Sequence, residues 1–141
     1  MNIQSLCKQM GATACLAFTY ARIATDGYGG AEYDRNIHII KKTVRAQESG
    51  CLDKEFFVND AASFISFVNP LVKAEIEKRK IKSLSEIKEY EYVCVNFAYK
   101  GKNHWVWVKF GKLYWNSLDY SECVAMGEPV DARIVKIKEA A

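Results

Sequence analysis

Proline and glycine are scarce: two and eight of them in 141 residues leave no linker-like or low-complexity tract. No period of 20 to 50 residues repeats, which excludes a solenoid or an array. The N-terminus, Met1 to Lys8, has no basic segment leading into an apolar one, so no secretory signal is expected. The most apolar early stretch, Ala12 to Ile23, carries Arg22 and is too short to span a bilayer. These absences point to a chain without a membrane span, expected in the cytoplasm. Charge of one sign is lacking too: a net +3 is too small to imply a nucleic-acid partner. The five cysteines form no Cys-x-x-Cys pair, and neither histidine stands at a zinc-finger spacing from one. No metal or organic cofactor is therefore expected, and in a reducing cytoplasm the cysteines are expected as free thiols.

What remains is apolar and aromatic. Half the residues are hydrophobic and 13% aromatic, enough for a single folded domain over residues 1–141 with a real core. Residues 13–25 read as a helix with Thr13 as N-cap, and Arg22 is its only charge. A helix apolar nearly all round belongs at the centre of a fold. Asp26 to Gly30 ends it. Residues 31–46 place Ile37, Ile40 and Val44 at helical spacing, with His38 off that stripe on the surface. Asn59-Asp60 caps a helix from Ala61 to Val68, which Asn69-Pro70 stops. Residues 71–82 interleave charges of both signs and read as a solvated helix face.

After Ser85 the pattern changes. Glu91 to Tyr99, His104 to Phe110, Leu113 to Leu118 and Asp131 to Lys138 read as strands, with turns at 100–103 and at Gly111-Lys112. Helices first and an antiparallel meander over about 89–138 make an α+β fold.

Four residues carry the chemistry. Cys15 falls in the first turn of its helix, where unpaired N–H groups and the dipole favour a thiolate. A core cysteine is the plainer reading of the same position. His104 opens its strand on the face of Val106 and Val108, with Trp105 and Trp107 on the other. A hairpin turning at Gly111-Lys112 sets Asp119 directly opposite His104, where a carboxylate can hold one tautomer and stabilise the cation. Asn116 is a rival orienter, three residues off that register. Gln9, six residues before Cys15, can donate to an oxyanion beside the Cys15 backbone amide.

Gln9, Cys15, His104 and Asp119, in that order, resemble the papain-like cysteine peptidase superfamily, nearest its compact bacteriocin-leader peptidase-like group. The likeness runs from Gln9 to the last strand near Lys138. It implies a papain-like fold, a nucleophile at Cys15, a general base and acid at His104, an orienter at Asp119 and an oxyanion glutamine at Gln9. It further implies a thiol hydrolase acting on a peptide or protein substrate. Leu16-Ala17 after the cysteine and Tyr120 after the aspartate depart from that group's pattern, so Gly-Gly leader specificity is not carried over.

Two other readings stand beside it. An acyltransferase, transglutaminase-like enzyme or deamidase uses the same thioester. A non-catalytic peptide-binding module accounts for the many aromatic residues between Tyr90 and Trp115. Oligomeric state is left open.

Overall fold

The computed structural model describes residues 3–5, 12–27, 31–53, 58–118 and 121–139. Helix α1, Ala12–Ala24, begins one residue before its expected cap. It is the central element that its composition predicts. Ala14, Cys15, Ala17, Phe18, Tyr20, Ala21, Ile23 and Ala24 are all buried. Its buried threonines are satisfied locally: the Thr19 hydroxyl donates to the Cys15 carbonyl at 2.7 Å and the Thr25 hydroxyl to that of Ala21 at 3.0 Å. Arg22 is buried as well. It lies 5.4 Å from the Trp107 ring centroid and pairs with Asp26 at 3.4 Å and Glu32 at 3.6 Å.

Helix α2, Glu32–Ser49, ends on Gly50, whose φ of 92° suits a residue without Cβ. Its buried stripe is Ile39, Thr43 and Ala46, not the expected Ile37, Ile40 and Val44; Val44 is exposed. The stripe turns this way because the Thr43 hydroxyl satisfies itself on the Ile39 carbonyl at 2.8 Å and so tolerates burial. His38, expected at the surface, is half-buried at the edge of that stripe. Helix α3, Ala61–Val68, has the expected cap: the Asp60 carboxylate accepts from the Ser63 N–H at 3.2 Å. Asn69 does more than stop it. Its side-chain amide donates to the Ala24 carbonyl at 2.9 Å and so satisfies the end of α1.

Residues 71–82 are not a helix. Val72–Lys80 is strand β1, with Val72, Ala74 and Ile76 turned toward the helices and Lys73 and Glu75 toward solvent. Apolar residues two apart are a strand period. Strand β2 is Val93–Tyr99, β3 Lys102–Lys109, β4 Lys112–Trp115 and β5 Glu128–Glu139. A 3₁₀ turn at Leu84–Ile87 follows β1, and the short helix α4, Glu122–Met126, precedes β5.

The strands form one five-stranded antiparallel sheet in the order β1-β5-β2-β3-β4. The expected four-strand meander is thus corrected. The last strand returns to the middle and pairs with β1 along its whole length. One face packs on α1 and α3 through Cys94, Trp105, Trp107 and Val135. The other packs Val93, Val95, Val106, Val108 and Ile134 against Ile87 and Cys123. A mixed α+β architecture is therefore established. Among the described residues no helix is long and apolar enough to cross a membrane.

Candidate functional site

His104 sits in β3 with its side chain buried, opposite Phe97 of β2. Its Nε2 lies 2.6 Å from Oδ1 of Asn116, and among the described residues this is the ring's only hydrogen bond. The backbone N–H of Leu118 donates to the same oxygen at 2.9 Å. A backbone donor requires oxygen, not nitrogen, at that position, so the amide orientation is fixed. Nε2 therefore carries the proton and donates, which leaves Nδ1 with the lone pair of a base. Burial holds the His104 pKa below the usual histidine value, and the Asn116 bond opposes that shift.

Asn116 reaches His104 because the β3–β4 hairpin does not turn where expected. Lys109 pairs with Lys112, so the loop is Phe110-Gly111, with φ of 52° and 79°. Both central residues take the left-handed conformation of a type I′ turn, whose twist matches that of the strands. Lys100 and Gly101, at 49° and 77°, do the same between β2 and β3. A register shift between Trp107 and Val108 then advances β4, placing Trp115 opposite Trp107. Strand β4 ends there, three residues short of the expected Leu118, and Asn116 follows directly on it. Asp119 and Gln9 lie outside the described residues.

Cys15 is buried and disulfide-bonded, which corrects the expectation of five free thiols. Its partner lies outside the described residues. Cys51, Cys94 and Cys123 are free. Burial pushes the Cys94 thiol far up, as befits an inert core cysteine.

The position of Cys15 follows from the packing of α1 on β3. The Thr19 hydroxyl is 3.4 Å from the Trp105 carbonyl, and Arg22 stacks on Trp107. The two elements thus run side by side in the same direction. Cys15, one turn before Thr19, lies toward the end of β3 that carries His104, the strand's third residue. The faces differ: Cys15 clusters with Trp105 and Trp107, while His104 follows the alternation of Val106 and Val108. Cysteine and histidine share an end of the α1–β3 pair, but not a face of the sheet.

Two cavities border these elements. One of about 420 Å³ touches Asn116, Trp115, Arg22 and Glu32. The other, about 760 Å³, is bounded by Leu16, Tyr20, Asn96, Trp105 and Arg133, a set the sequence reading passed over. Only the topology could reveal it, since Arg133 reaches this place by the return of β5 to the middle of the sheet. Among the described residues no cluster of three or more histidine, cysteine or acidic side chains could hold a metal ion. Comparison with protein-family models, curated proteins and solved structures finds no match for this chain.

Proposed function

We propose that this chain is a thiol hydrolase in which Cys15 is the nucleophile, His104 the general base and acid, and Asn116 the residue that orients the imidazole. The observation that carries the reading is the 2.6 Å bond from His104 Nε2 to an amide oxygen itself anchored by Leu118. It fixes the tautomer that thiol activation needs.

The disulfide at Cys15 adds a first step. A dithiol reductant takes up the disulfide as two thiols and is itself oxidised to a disulfide. His104 Nδ1 then accepts the Cys15 proton, a step that requires the imidazole to reach past the start of β3 to the α1 side of the sheet. The thiolate attacks a peptide or amide carbonyl, and the tetrahedral adduct collapses to a thioester. The C–N bond breaks, and the departing amine takes the proton from the imidazolium. Water, deprotonated by His104, hydrolyses the thioester and returns the thiol. Gln9 is retained as the proposed oxyanion donor beside the Cys15 amide, and Asp119 as the rival to Asn116.

The test is the pH profile of iodoacetamide alkylation at Cys15 in the reduced chain, followed by mass spectrometry. A His104-assisted thiol alkylates at acidic pH, well below the ordinary cysteine range, and loses that limb in His104→Ala. Alkylation that follows ordinary thiol ionisation in both proteins refutes the reading.

The disulfide itself favours a second reading, a non-catalytic peptide-binding module in which Cys15 is structural. Alkylation chemistry separates the two. Amine incorporation in place of peptide cleavage would instead mark an acyltransferase or a transglutaminase-like enzyme.

A further inference from the structure

Arg133, on β5, stands directly across from Lys78 on β1, and both line the 760 Å³ cavity. Two cations in opposed positions of a sheet repel each other unless an anion lies between them. Among the described residues neither has a carboxylate partner. Arg133 is held instead against a ring: its guanidinium carbon lies 5.0 Å from the Trp105 centroid, and the buried Tyr20 lines the same cavity. Stacking on the ring fixes its plane and, among the described residues, leaves its charge uncompensated.

Among the described residues, two acidic groups of this region are committed elsewhere. Asp131, on the same strand, pairs with Lys80 at 3.5 Å. Asp60, on the cavity wall, accepts from the Ser63 N–H at 3.2 Å and from the Ser63 hydroxyl at 2.9 Å in capping α3. Among the described residues Lys78, Arg133 and Asp60 give its walls a net charge of one positive unit, which suits a single negative charge better than a double one.

Asn96, beside Trp105 in the register, also lines the cavity. It is 7% exposed, and among the described residues its buried side-chain oxygen has no hydrogen-bond partner. Such oxygens are normally satisfied, so this one calls for a donor from the cavity. Leu16, Val58, Ile76 and Trp105 supply apolar wall.

We propose that this cavity binds a peptide segment bearing one carboxylate, with Arg133 and Lys78 holding the carboxylate and Asn96 accepting an adjacent amide N–H. The inference does not rest on the thiol reading, because it requires no chemistry at Cys15. The carboxylate can be a chain terminus or an acidic side chain.

Calorimetry on the full oxidised chain tests it with three N-acetylated probes: leucyl-alanine with a free C-terminus, leucyl-glutamate amide and leucyl-glutamine amide. At least one acid is expected to bind about tenfold more tightly than the neutral probe. The tighter acid identifies the source of the carboxylate. Arg133→Gln is expected to abolish that tenfold preference. Lys78→Gln, at an exposed position where folding is not at stake, is expected to reduce it about threefold and to weaken its salt dependence. The proposal is overturned if the neutral probe binds as tightly as both acids, if no probe binds at millimolar concentration, if Lys78→Gln leaves the preference intact, or if inorganic phosphate competes as well as the acids.

Discussion

Replacing Asn116 by alanine removes one oxygen and strands two donors, the buried His104 Nε2–H and the Leu118 N–H. Each bond contributes on the order of 1 kcal/mol net, and a buried donor left bare costs about 1–3 kcal/mol. Leu118 is half-buried and can recover a water, whereas the imidazole is buried. The expected loss is therefore about 1–2 kcal/mol, dominated by His104, or roughly 3–8 °C in Tm for a chain of this size. The ionisation of His104 reports the same bond independently. An oxygen facing Nε2–H favours the cation, so Asn116→Ala lowers the His104 pKa further below its usual value, and Asn116→Asp raises it. Both shifts are read from the imidazole Cε1–H resonance in an NMR titration, assigned with His104→Gln. An unchanged His104 titration curve in Asn116→Ala would refute the assignment and return the orienting role to Asp119.

Three further outcomes are expected. Because burial depresses the folded-state pKa of His104, its contribution to stability is present above the ordinary histidine value, about 6.5, and is lost as pH falls through the folded value. The urea midpoint of the native chain should thus drop more steeply than that of His104→Gln between roughly pH 7 and 5; parallel curves would contradict the buried neutral imidazole. Native protein without reductant should alkylate first at half-buried Cys51, slowly at buried Cys94 and Cys123, and not at Cys15 until a dithiol is added; mass spectrometry of peptides that shows early Cys15 labelling would remove the disulfide from the resting state. A Cβ at Gly127 would collide with the carbonyl oxygens of Ala98 and Cys123. Gly127→Ala is therefore expected to cost roughly 2–3 kcal/mol by denaturant titration, and a neutral result would mean that α4 does not press on β2 as described.

Local pattern was enough where one element dictated its own environment. Helix α1 is apolar on every side, so its central position was legible, and Arg22 enters the core only because Trp107, Asp26 and Glu32 receive it. Helix α3 was legible to the residue, since Asp60 and Pro70 are signals local to the chain. The helical expectation for β1 failed for an equally physical reason. Its lysines, glutamates and arginine favour helix, but β5 supplies a partner along nine residues, and tertiary pairing overrides propensity.

By itself the sequence determined the α+β class, the central helix, the strand that carries His104 and the residue types from which a thiol site is proposed. These depend on periodicity and residue type, which are local. Tertiary structure alone decided which oxygen His104 meets, that Cys15 is tied in a disulfide, and that Arg133, Lys78 and Asn96 face one cavity. A type I′ turn and a register shift move a whole strand relative to its neighbour, and a strand returning from the chain end joins residues far apart in sequence. Neither effect is written in any short stretch of residues, because both arise from how separate elements satisfy one another's backbones.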